Sequence, residues 1–198
     1  MHGARRWMCC LMALAVIAAV AAPASATTLM RESLDKLVAS NRTVIVGEVL
    51  DIDSHWNDDG TFILTDVTVA VTDVLKGRLA DREITVTLMG GRVGDTTTLI
   101  IGGAQLIPGN AYVLFLNEED LPGKRALTVR DLCQGAFDLV MTEDGLRAIS
   151  QANQHPLVPD ELGYIDAPGG VEGIPFKAMV DSIREIAARP QGARPEVN

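Results

Sequence analysis

An antiparallel, mainly β domain, folded as a sandwich or a barrel, is what this sequence predicts. About seven short segments with β-branched or alternating apolar patterning follow one another closely, with Gly-, Asn- and Pro-bearing turns between them. The strand–helix rhythm that builds a doubly wound parallel sheet is missing. So is self-similarity at the roughly 20- to 50-residue periods of solenoids and propellers.

The chain opens on an export signal. Arg5 and Arg6 precede an apolar run from Trp7 to Ala22, and Ala24-Ser25-Ala26 is a small-x-small cleavage site. The run holds 16 residues, short of the roughly 20 that span a bilayer as a helix. Cleavage after Ala26 is expected to release the remaining 172 of 198 residues into the periplasm or the medium. No apolar tail follows later, so no stable membrane anchor is expected after cleavage. Arg5 and Arg6 leave with the signal and no Asp or Glu does, which takes the net charge from −9 to −11. So acidic a chain lacks the Lys/Arg counter-charge that nucleic acid and anionic membranes demand. Cys9 and Cys10 leave too. Cys133 alone remains, without a Cys or His at motif spacing, and reads as a small buried hydrophobe. Without an internal disulfide, the fold must stand on its apolar core.

Residues 27–150 read as the β domain, and 151–198 as an irregular wrap and a helix of the same domain. Leu29 to Val38 carries Leu29, Met30, Leu34, Leu37 and Val38 at near-helical spacing, and Asn41 ends it. Thr43 to Ile52 is a strand with Gly47 as a bulge or close backbone approach. Asn57-Asp58-Asp59-Gly60 forms a hairpin turn. Phe62 to Leu75 follows, with Val67, Val69 and Val71 buried against Asp66, Thr68 and Thr72 on the wet face. Glu83 to Met89, Thr97 to Ile101, Ala111 to Leu116, Ala126 to Val129 and Gly135 to Met141 complete the strands. Between them lie Gly102-Gly103 and Pro108-Gly109-Asn110, and Glu143-Asp144-Gly145 makes a last turn. His155 to Pro175 is rich in Pro and Gly and reads as irregular. Phe176 to Ala188 is an amphipathic helix with Phe176, Met179, Val180, Ile183, Ile186 and Ala187 on one stripe, expected to pack on the sheet.

The densest polar cluster, Asp51 to Gly60, offers Asp51, Asp53 and His55 as candidate metal ligands. An EF-hand loop counted from Asp51 fails, because Trp56 and Phe62 fall where Gly and Glu are required. The plainer reading is a solvated strand end and hairpin. His55 and His155 could serve acid–base chemistry only beside a carboxylate, or thiol chemistry beside Cys133, and the sequence does not join them. Gly90 to Gly94 lacks the Lys-Ser/Thr and following helix of a phosphate loop and reads as a turn. Asn41-Arg42-Thr43 matches a glycosylation triplet. No nucleophile elbow or His-Glu-x-x-His is present, so no catalytic residue and no cofactor are expected.

Thr43-Val44-Ile45-Val46-Gly47-Glu48-Val49, the long strand ending Val74-Leu75-Lys76-Gly77, and Pro108-Gly109-Asn110-Ala111-Tyr112-Val113-Leu114-Phe115 together resemble secreted netrin-like domains, the group that includes the tissue inhibitors of metalloproteinases. The resemblance covers Leu29 to Leu116. It implies an OB-like β-barrel with a short N-terminal helix, to which the C-terminal amphipathic helix adds. The inhibitors of that group use an N-terminal cysteine and several disulfides; here Thr27-Thr28 opens the mature chain and no inhibitory residue carries over. The expected function is an exported, non-enzymatic binding module whose partner is another secreted or envelope protein. A protease inhibitor, or a metal-dependent enzyme built on Asp51, Asp53 and His55, is the alternative.

Overall fold

A computed structural model describes residues 31–154 and 172–189. The export signal, His155 and the last residues lie outside the described part. In chain order the elements are helix α1 (Leu34–Ser40), strands β1 (Thr43–Trp56), β2 (Ile63–Lys76), β3 (Glu83–Met89), β4 (Gly91–Val93), β5 (Thr96–Thr98), β6 (Ala111–Leu121), β7 (Lys124–Val129), β8 (Ala136–Thr142), β9 (Gly145–Ser150) and β10 (Ile174–Pro175), and helix α2 (Phe176–Ala188). The fold is mainly β, and every ladder is antiparallel.

Helix α1 starts later than its apolar spacing predicts. The Ser33 hydroxyl accepts the Lys36 N–H at 3.3 Å and caps the helix there. Asn41 ends it, its backbone and side-chain N–H groups both donating to the Leu37 carbonyl. Asn41 is buried and also hydrogen-bonds Asn117, so the glycosylation triplet holds a structural amide.

The main sheet runs β10-β9-β8-β6-β1-β2-β3, with β7 pairing the C-terminal half of β6. The sheet is not closed. β3 lies against β7, but no ladder joins them. Strand β1 pairs β2 along its whole length and β6 along its first half, shifting register three times. Gly47 sits at one of those shifts, where a Cβ would fall 2.6 Å from Val69 Cγ1 and 2.9 Å from the Ala70 carbonyl oxygen. The close approach expected of this glycine is therefore real.

The first half of β6, Ala111 to Leu116, is apolar at every position because both of its faces are buried. Val113 and Phe115 join Val44, Val46 and Phe137 beneath the two helices, where Met179, Ile183, Leu37 and Val38 complete one core. Tyr112, Leu114 and Leu116 join Ile45, Val49, Val67, Val69 and Val86 in a second core, with Leu106 reaching in from the loop between β5 and β6. Each fully buried Met179 or Ile183 side chain contributes about 2 kcal/mol of hydrophobic stabilisation. The rim pairs Arg184–Asp73 and Arg189–Asp35 are exposed and add little.

Three strand expectations are corrected. Thr97 to Ile101 is strand only through Thr98, paired with β4 in a separate two-stranded sheet; Leu99 to Ile101 leave it toward Gly102 and Gly103. Strands β1 and β6 run past their apolar cores, because hairpin pairing carries the polar residues His55 and Glu118 to Asp120 with it. Gly145 to Ser150, unforeseen as a strand, pairs fully with β8 across the expected turn.

Candidate functional site

Asp51 and Asp53 are exposed on β1, opposite Thr68 and Asp66 across the ladder. His55 turns away from them. Its Nε2 lies 3.1 Å from Asp66 Oδ2 and its Nδ1 lies 2.9 Å from the Trp56 carbonyl oxygen. Register explains the first contact: Asp53 is the direct partner of Asp66, so His55, two residues on, takes the diagonal position on the same face. Thr87, directly opposite Asp66 on β3, donates to Oδ1 at 2.5 Å. Lys124, at the start of β7, donates to both carboxylate oxygens at 2.9 and 3.2 Å. One carboxylate thus gathers donors from β1, β3 and β7, bridging the seam where β3 and β7 have no ladder.

Hydrogen bonding favours the charged forms of both Asp66 and His55. Burial pushes the Asp66 carboxyl up, but the hydrogen bonds from Thr87, Lys124 and His55 outweigh it and hold the group below its ordinary value. The Trp56 carbonyl can only accept, so Nδ1 is the donor in that contact; when the ring is protonated, Nε2 donates to Asp66 as well. The imidazole is held above its ordinary value first by the Trp56 carbonyl and then by Asp66. Both ring nitrogens are thus engaged within the protein. Among the described residues, no group of three or more His, Cys, Asp or Glu is placed to hold a metal ion.

Beside this cluster the β1–β2 turn is organised by buried Asn57. Its Oδ1 accepts the Thr61 and Phe62 N–H groups at 2.8 and 3.0 Å, and its Nδ2 reaches the Pro122 carbonyl of the β6–β7 hairpin. The expected Asn57 to Gly60 turn is present. The expected Gly90 to Gly94 turn is only partly present: Gly91 opens β4 and the turn falls at Gly94-Asp95, while Gly91 packs too closely for any side chain, where a Cβ would lie 2.2 Å from Thr65 Oγ1.

The other concave site lies at the opposite half of the sheet, over β6 and β8. It is a cleft of about 750 Å³, within the range of small-ligand and peptide pockets. Tyr112 and Asp138 face each other across the β6–β8 ladder at its base, on the face that carries the second core. The loop before β6 forms one wall and is tied down at three points. The Ile107 N–H donates to the Tyr112 hydroxyl oxygen at 2.9 Å. Gln151 accepts the Gln105 N–H at 2.9 Å and donates to the Gln105 carbonyl at 2.7 Å, as a neighbouring strand would. The Cys133 N–H donates to the Gly102 carbonyl at 2.8 Å.

Cys133 is presented by a turn that begins with two left-handed residues, Asp131 (φ 60°) and Leu132 (φ 59°). The thiol is buried, as its sequence context predicts, and burial pushes its pKa up, so it is no thiolate nucleophile. Asp138 is half-buried. Burial raises its carboxyl, and the Gln151 amide, donating to Oδ1 at 3.0 Å, opposes that rise. Its other oxygen has no partner among the described residues.

The rim is apolar. Ile107, Val140 and Met141 line the cleft and are 55%, 39% and 73% exposed. Leu99 and Ile101, 80% and 66% exposed, stand on the same tied loop. The sequence reading missed this site. Its signals were a lone aspartate inside the apolar segment Ala136-Phe137-Asp138-Leu139-Val140-Met141 and the unalternated run Leu99-Ile100-Ile101. Among the described residues no helix is long and apolar enough to cross a membrane. Comparison of the sequence with protein-family models and with curated proteins finds no match.

Proposed function

We propose that this chain is an exported binding module of the cell envelope or extracellular space, which grips a segment of another protein in the cleft over β6 and β8. The carrying observation is the concentration of exposed apolar side chains around one cleft whose loop wall is stapled in place. Soluble surfaces seldom gather large apolar groups in one patch unless a partner covers them. A pre-formed wall lowers the ordering cost of binding. Cys133 is buried and both ring nitrogens of His55 are engaged within the protein, an arrangement that suits a structural role for both and favours binding over catalysis.

The architecture proposed with it is an OB-like, netrin-like barrel of β1, β2, β3, β7 and β6, whose last seam is closed by side chains. Two features support that reading. β3 lies against β7, and one apolar cluster draws residues from all five strands, including Val86, Leu127 and Val129. Barrels of this kind commonly present a binding face.

A photo-crosslinking residue placed at Met141 and, separately, at exposed Asp58 tests the function. In cells exporting the chain, adducts with an envelope or secreted protein are expected from position 141 and not from position 58. Equal labelling at both positions, or none at 141, counts against the proposal.

A further inference from the structure

The cleft sets exposed apolar side chains, Ile107, Val140 and Met141, beside a single carboxylate, and the combination selects its occupant. Asp138 is the one charged side chain among the described residues that line it; the remaining polar lining is amide or hydroxyl, as at Gln151, Asn110 and Tyr112. One Asp138 oxygen is held by Gln151 and the other has no partner among the described residues. A half-buried carboxylate beside apolar walls is poorly solvated and gains from an incoming donor, above all a charged one. Among the described residues no Lys or Arg lines the cleft to supply that charge from within.

We infer that the cleft takes an apolar segment of a partner polypeptide through a single Lys or Arg side chain, whose cationic head pairs with Asp138 while neighbouring apolar residues cover Ile107, Val140 and Met141. The inference rests on the binding reading above and specifies the partner's chemistry. Long cationic side chains suit this arrangement, because their methylene stems pack on apolar walls while the head reaches a buried acceptor. The acidic balance of the whole chain, −9 over the full sequence, draws such a segment in before contact. A carboxylate-bearing segment meets an unpaired like charge in the same place and is rejected.

The test uses the exported chain and three fluorescent probes: acetyl-Leu-Val-Lys-Val-Leu-amide, the same peptide with Glu replacing Lys, and the same peptide with Gln. The Lys peptide is expected to bind more tightly than the Gln and Glu peptides. Asp138→Asn, which keeps the shape and the Gln151 contact, is expected to weaken the Lys peptide by about ten- to a hundred-fold, the loss of one charge-assisted bond. Its effect on the Gln peptide should be far smaller. Asp138→Lys, checked for folding by its circular dichroism and elution volume, should prefer the Glu peptide. Equal binding of all three peptides, abolished by Val140→Asp, overturns the charge rule while leaving the cleft a docking site. Binding of no peptide, together with no crosslink from Met141, overturns both readings. n-Hexylamine binding as tightly as the Lys peptide would give the cleft to a small amine, and concentration-dependent self-association lost in Val140→Asp would give it to a second copy; either overturns the polypeptide occupant.

Discussion

Around Asp66 both carboxylate oxygens are matched by donors, whereas around Asp138 one oxygen is held by an amide and the other faces a cleft. Asp66 joins strands that no ladder joins; Asp138 sits on a strand already paired on both sides. The two carboxyls are accordingly displaced in opposite directions, Asp66 downward by its donors and Asp138 upward by burial. The lesson is one of saturation. A polar cluster that satisfies itself holds the fold together, and a polar group left half-satisfied among apolar neighbours is available to something else.

Asp66→Ala is the hardest blow to this contrast. It strips Thr87, Lys124 and His55 of their shared acceptor, and urea unfolding should show a loss of about 2 kcal/mol, discounted for partial exposure. Lys-peptide binding at the cleft should be unchanged, and a large loss of it would mean that the two regions are coupled. A smaller effect concerns pH. His55 has its imidazole raised above the ordinary 6.5 in the folded state, so its contribution is complete below that value and fades as pH rises through the raised one. The amount is under about 1 kcal/mol because the ring is partly exposed. His55→Gln should flatten that slope in stability measured between acid and mildly alkaline pH, and an unchanged slope would remove His55 from the account. The smallest effect is a gain in stability rather than a loss. Asp138, whose carboxyl is raised on folding, favours the folded state only as pH falls. At neutral pH Asp138→Asn should therefore raise the urea midpoint slightly while weakening cation binding. A lowered midpoint would make Asp138 a structural residue like Asp66.

How much of this was legible beforehand differs by element. β3 and α2 were readable to the residue, since Ile84, Val86 and Leu88 alternate and Met179, Val180 and Ile183 recur at helical spacing. Gly145 to Ser150 was not: Arg147 interrupts it, and only pairing with β8 makes it a strand. Of the site candidates, His55 was visible as a residue but not as a contact. Its partner Asp66 lies 11 residues further on, and Lys124, which shares that carboxylate, lies 69 further on; only register and hairpin geometry bring them together. Asp66 itself had been placed on the wet face of its strand, which is the face it shares with Thr87. The cleft went unread because its polar floor is a single residue in an apolar strand, and its walls belong to a loop whose shape depends on Gln151, 46 residues away.

Helix α2 is the last element of the described fold, yet Met179 and Ile183 seal the core face built on Val44, Val46, Val113 and Phe115. A chain emerging N-terminus first therefore completes its sheet, cleft and ion cluster while only Leu37 and Val38 of α1 cover that face. Until residue 183 follows, the nascent sheet presents a continuous aliphatic surface, the kind of intermediate that aggregates or recruits a chaperone. Helix α2 thus acts as a completion check: a chain cut short before Phe176 keeps the strands of the cleft and is expected to aggregate.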